Sequence, residues 1–109
     1  MIDSTPAVRE LNDRFRATFV GGRVVVTPGV HALEADVKRR LLAKIQSFDA
    51  FAPENDPYGE HDFGAVELDG ERFLFKIDYF DPLLQSQSID TADPMMTTRV
   101  LTIMRADEY

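Results

Sequence analysis

Apolar residues recur along this chain with two different periods, and the change from one to the other falls near its middle. Val8, Leu11, Phe15 and Phe19 follow one another at spacings of 3, 4 and 4, which is the buried stripe of an amphipathic helix. Thr5 and Pro6 supply its start, as N-cap and first helical residue. Arg9, Arg14 and Arg16 are expected to point away from that stripe. Gly21-Gly22 is expected to end the helix, because glycine accepts the positive φ of a C-terminal cap. Arg23 to Thr27 is a β-branched run of strand length, stopped by Pro28-Gly29. Leu33, Val37, Leu41, Ile45 and Phe48 then restore the helical spacing and predict a second helix over 32–49. Its outer face carries Lys38, Arg39, Arg40 and Lys44. Glu34 and Asp36 come before these bases, the order that suits the helix dipole.

From Gly64 the period becomes two. Val66 and Leu68 alternate with Glu67, and Asp69-Gly70 is a type I′ turn signal. A two-residue turn pairs Leu68 with Glu71, Glu67 with Arg72 and Val66 with Phe73. Val66, Phe73, Phe75, Ile77 and Tyr79 therefore share one face of the sheet. The return strand is predicted over 71–80, and a last strand over 97–105. The order α-β-α-β-β-β places two amphipathic helices on the apolar face of a mainly antiparallel four-stranded sheet, a two-layer α+β sandwich in one domain, 1–109. The other sheet face mixes Glu67, Lys76 and Asp78 with Leu74 and Phe80, so a second copy of the chain is a candidate cover for it.

Charge changes the picture more than composition does. The formal net charge is −7. Residues 1–44 hold eight Lys/Arg against five Asp/Glu, whereas 45–109 hold four against fourteen. An acidic surface repels a phosphate backbone and suits a basic protein partner. The bases of the second helix lack the interleaved aromatics of single-strand binders. Direct nucleic-acid binding is therefore not expected. There is no cysteine, so disulfides and thiolate metal sites are excluded. The start Met1-Ile2-Asp3-Ser4-Thr5-Pro6 lacks the blocks of a signal peptide, and no apolar run approaches the roughly 20 residues that span a bilayer. The expected location is cytoplasmic, with no membrane partner.

Between the two periods lies Asn55-Asp56-Pro57-Tyr58-Gly59-Glu60-His61-Asp62-Phe63-Gly64, part of a long loop. A loop of this length in a compact domain is functional or packed as an Ω-loop. Glu60, His61 and Asp62 invite an acid/base or metal reading, with His31 and Asp78 as further candidates. No ligand-spacing motif, glycine-flanked serine or phosphate loop supports it. As a turn, Asn55 and Asp56 would cap, Pro57 and Gly59 would set the backbone, and Tyr58 and Phe63 would anchor. The partner-binding candidates are Glu54, Asp56, Tyr58, Glu60, His61 and Asp62. No catalytic residue, metal ligand or cofactor is assigned.

Asn12-Asp13 with Phe15, Gly22-Arg23-Val24-Val25, the 55–64 stretch, Lys76-Ile77-Asp78-Tyr79 and Thr98-Arg99-Val100-Leu101-Thr102-Ile103-Met104 together resemble a small bacterial family classed as a domain of unknown function. The resemblance spans nearly the whole chain. It implies a bacterial, phage or plasmid source and brings no catalytic residues. Small acidic proteins of mobile elements are often inhibitors of host defence, of the anti-CRISPR or anti-restriction kind. By that analogy of size and charge, the expectation is a non-enzymatic inhibitor acting through an acidic surface. The alternative is a small metal-dependent or acid/base enzyme centred on His61.

Overall fold

Asp69 and Gly70 set the centre of the architecture. Both take positive φ, 53° and 79°, as a type I′ turn requires, and glycine adopts that backbone without a Cβ clash. In the computed structural model, which describes residues 3–109, this turn joins two strands. They pair Leu68 with Glu71, Glu67 with Arg72 and Val66 with Phe73, the register predicted from turn length.

In chain order the elements are α1 (Thr5–Thr18), β1 (Gly22–Val26), α2 (Pro28–His31), α3 (Ala35–Gln46), β2 (Phe63–Leu68), β3 (Glu71–Phe80) and β4 (Thr98–Arg105), closed by a 3-10 turn, Ala106–Glu108. The sheet order is β1-β4-β3-β2. β2 with β3 and β3 with β4 are antiparallel, and β1 runs parallel to β4. The fold class is α+β, with the sheet mixed by its one parallel neighbour. Strand parity decides the core. Phe73, Phe75 and Ile77 of β3 and Leu101 and Ile103 of β4 turn to one face, where Phe15, Val30, Leu41 and Ile45 of the helices meet them. Burial of side chains this size contributes about 1.5–3 kcal/mol each. On the other face Leu74 and Met104 are also buried, and the ring of Tyr109 meets Phe63 edge-on at 5.9 Å.

Several predicted boundaries change. Ser4, not Thr5, is the N-cap of α1. Its C-cap is Phe19, in the left-handed region at φ 60°, with its N–H on the Phe15 carbonyl at 2.7 Å. Gly22 instead opens β1. The predicted helix over 32–49 is α3 alone, shortened to Ala35–Gln46, because Glu34 adopts an extended ψ of 149° and becomes its N-cap, and the short α2 precedes it. Pro28 starts α2 rather than only ending β1. The carboxylate of Glu108 fastens this corner, accepting from the Thr27 hydroxyl at 2.6 Å and the Gly29 N–H at 2.9 Å. Phe48 lies beyond α3 but still packs edge-on against Phe51 and Phe75, at 4.8 and 5.2 Å. Its apolar spacing marked the core, not the helix. The last strand starts at Thr98 rather than at 97.

Arg16 is the largest departure. It was expected on the solvent face of α1, yet it is 5 % exposed. Its guanidinium lies over the rings of Phe51 and Phe75 at 5.1 and 5.7 Å, donates to the Phe48 carbonyl at 3.0 Å and pairs with Asp13 at 3.2 Å. Its Nε is buried without a partner. The aromatic walls and the Phe48 carbonyl give the cation a site that helical spacing alone does not reveal.

Candidate functional site

One end of the sheet gathers both long connections. β2 begins, β3 ends and β4 begins there, as the pairs Phe63–Lys76 and Phe80–Thr98 show. β1 begins there too, with Gly22 beside Arg99. Segments 49–62 and 81–97 therefore meet at this end. Between them they carry Asp49, Glu54, Asp56, Glu60, Asp62, Asp81, Asp90 and Asp93, and neither contains a lysine or arginine.

The first segment is fastened to α1 and β3 by a buried polar chain. Asn12 is fully buried. Its amide donates to the Glu60 carbonyl at 2.9 Å and to the Tyr79 hydroxyl at 2.8 Å. The Tyr79 hydroxyl donates to the Glu60 carboxylate at 2.9 Å. On the other side, Arg99 Nε donates to the Asn12 side-chain oxygen at 2.7 Å, and its other end bonds the Thr91 carbonyl of the second segment. Two neutral groups thus connect a buried cation to a carboxylate through aligned hydrogen bonds, an arrangement in which each bond polarises the next. Burial pushes the Tyr79 hydroxyl far above its usual range, with the Glu60 bond acting the same way and the Asn12 bond opposing. Burial lowers Arg99, and the nearby Tyr79 and Glu60 oppose that.

His61 sits beside this chain at φ 57°. Its ring stacks flat on Phe51, with centroids 3.8 Å apart. Nδ1 is 2.8 Å from an Asp13 oxygen, and Nε2 is 3.5 Å from Asp56. Asp56 also accepts the His61 backbone N–H at 3.1 Å. Both ring nitrogens therefore face carboxylates. A depression of about 390 Å³ opens alongside, with Arg9, Phe51, Asp56, Tyr58 and His61 in its wall. Asp62 lies on the other side of the loop, in a depression of about 380 Å³ that it shares with Tyr58, Lys76, Asp78 and Tyr109. Burial raises Asp62, and the charges of Glu60, Asp56 and Asp78 raise it further.

The six partner-binding candidates thus divide. Glu54 and Tyr58 stand in solvent, Tyr58 at 81 % exposure. Asp56 bonds His61 within the loop, Glu60 and His61 are held from outside it by Tyr79 of β3 and Asp13 of α1, and Asp62 is half-buried. His31 ends α2, apart from this cluster, and among the described residues no group of three or more His, Asp or Glu stands where it could hold a metal. Sequence reasoning missed the 81–97 segment as part of this end. It presents Leu83, Ile89 and Met95 at 74–84 % exposure. Asp81, Asp90 and Asp93 cap its turns by accepting the N–H groups of Gln85, Ala92 and Met95. It also missed Asn12 and Arg99. Their signal was register: Asn12 stands four residues after Val8, and Arg99 shares strand parity with Leu101 and Ile103.

Among the described residues no helix is long and apolar enough to cross a membrane. No curated protein and no solved structure matches the chain. A family model described as a protein of unknown function, DUF3768, matches residues 26–108, so the chain belongs to that family.

Proposed function

We propose that this chain is a non-enzymatic binding protein whose loop end engages a basic protein surface. The observation that carries this reading is the meeting of segments 49–62 and 81–97 at one end of the sheet, with eight carboxylates, no lysine or arginine, and Tyr58, Leu83, Ile89 and Met95 standing exposed among them. Exposed apolar anchors ringed by one sign of charge are what a charge-complementary interface needs. Among the described residues Asp49, Glu54, Asp62, Asp81, Asp90 and Asp93 have no ion-pair partner within the chain. In its most concrete form the partner is a bacterial defence complex, of the CRISPR or restriction kind, whose nucleic-acid channel these carboxylates would occupy.

The test is capture from lysate of the native host at low and moderate salt, comparing wild type with a Glu54→Lys, Asp90→Lys, Asp93→Lys variant. Glu54 is exposed, and the side chains of Asp90 and Asp93 bond only N–H groups of their own turns, so circular dichroism and melting of the variant are recorded beside the capture. Capture of a basic complex by wild type, weakened by salt and lost in the variant, is the expected result. Capture indifferent to both would sink the electrostatic reading. The alternative, an acid/base enzyme centred on His61, rests on the Asp13–His61 pair beside a depression. Against it, both ring nitrogens lie beside carboxylates, Nδ1 at 2.8 Å from Asp13 and Nε2 at 3.5 Å from Asp56. A hydrolytic activity of the purified chain that disappears in His61→Ala would reverse that judgement.

A further inference from the structure

The two edges of the sheet are treated differently. β2, one edge, has α3 beside it. Lys44 of that helix donates to the Glu67 backbone carbonyl at 2.6 Å, and Arg40 holds Asp69 with two bonds at 3.1 and 2.7 Å. Such cationic side chains blunt an edge against further pairing. β1, the other edge, has α2 at its end and Arg23 in its own sequence, but among the described residues no cationic side chain bonds its backbone. Four of its five residues are exposed, Val25 and Val26 among them, and Val20 just before it is 74 % exposed. Arg23 is the one charged residue between positions 17 and 33.

Backbone parity says which groups are free. The Thr27 N–H donates to the Ile103 carbonyl at 3.1 Å. In a parallel ladder alternate residues bond the same neighbour, so Arg23 and Val25 also turn to β4. Gly22, Val24 and Val26 turn outward, and no backbone or side-chain partner meets them among the described residues.

We infer that β1 is the docking edge for a second copy of this chain, paired antiparallel about Val24. In that register Val24 pairs with Val24 and Gly22 with Val26, so every outward group of the strand finds a partner. The two sheets become one of eight strands. Arg23 of one copy stands opposite Val25 of the other, and the two arginines do not face each other. Charge selects this edge for self-association. A molecule with a net charge of −7 repels its copy most strongly through its acidic loop end, whereas residues 17–33 around β1 carry the single charge of Arg23. An edge of five residues buries less than a standard interface, so the dimer is weak, with a Kd on the order of 10–100 µM. This inference does not depend on the proposed function, because it uses a different edge of the molecule.

The test is sedimentation velocity of the full chain up to about 1 mM, since a dimer weaker than that has no specific edge to explain. Three variants accompany it. Val24→Pro removes one outward N–H where an edge strand tolerates proline. Val25→Lys sets a base opposite Arg23, and Val25→Glu sets an acid there. The expected result is a concentration-dependent wild-type dimer, weakened at least about tenfold by Val24→Pro and Val25→Lys, with Val25→Glu several-fold tighter than Val25→Lys. Net charge predicts the reverse order for the last two, because lysine brings the chain nearer neutrality. Amide exchange supplies the same decision if Val24→Pro does not fold: the Val24 and Val26 amides should slow as concentration rises. A wild-type monomer throughout overturns the inference. So does a dimer indifferent to the sign of charge at position 25, or β1 amides whose exchange ignores concentration.

Discussion

At the hairpin end of the sheet, charges are paired in the open. Arg40 bridges Asp36 and Asp69, Arg105 meets Glu71, and Arg72 lies near Glu67, all on exposed or half-exposed side chains. At the loop end the pattern reverses. The cations Arg16 and Arg99 are buried, and among the described residues most of the carboxylates of the two segments have no ion-pair partner. Exposed pairs are worth little, because water already solvates both ions. A buried guanidinium is different, since every missing bond leaves a desolvated donor. The same residue types are thus decoration at one end and structure at the other.

This contrast can be broken most severely at Asn12. Asn12→Ala removes three buried bonds at once and leaves Arg99 Nε and the Glu60 carbonyl unsatisfied, so a loss of about 3 kcal/mol is expected in urea unfolding. Loop 49–62 should become sensitive to proteolysis in the same variant. Gly64→Ala is next. A Cβ there would stand 2.7 Å from the Phe75 ring tip and 2.8 Å from the Phe48 ring, and overpacking of this kind costs about 1–3 kcal/mol. Gly64 lies where the loop meets the core, so this variant separates packing from polar satisfaction.

Asp62 gives a smaller effect of opposite sign. Its folded-state pKa is raised, chiefly by burial and then by neighbouring carboxylates. The folded chain therefore holds the proton more tightly than the unfolded chain, and this group's contribution to stability falls as pH rises through the carboxylate range. At neutral pH Asp62→Asn should raise the midpoint of urea unfolding slightly, by less than Asn12→Ala or Gly64→Ala lowers it. The gain should vanish in melts run below the ordinary aspartate range. Arg40→Ala at the hairpin end is the smallest of the four. Its melting curve should overlay that of wild type, and a loss as large as that of Asn12→Ala would erase the distinction between the two ends.

Much of the sheet was legible in the sequence. Alternation in 66–68 and 73–79 with the Asp69-Gly70 turn defines a register, because turn length and pleat leave one pairing that buries the apolar set. The helical stripe was legible only for its apolar members. Asn12 and Arg16 occupy the same face, but a polar residue at a stripe position reads as solvent-facing until a partner for it is known. The partners here are Glu60, Tyr79 and Phe48, 48, 67 and 32 residues away. The loop residues were legible as chemically rich, and their inward bonds were not.

Sequence alone determined the hairpin, the two main helical stripes and the acidic excess of the second half, because each follows from residues that are neighbours along the chain. Tertiary structure decided the rest. It laid β1 parallel to β4, brought segments 49–62 and 81–97 to one end, and joined Asn12 to Arg99 across 87 positions. Those outcomes depend on which distant surfaces close together. Burial then turns ordinary polar side chains into a connected network, because a donor or acceptor removed from water must find its partner within the protein.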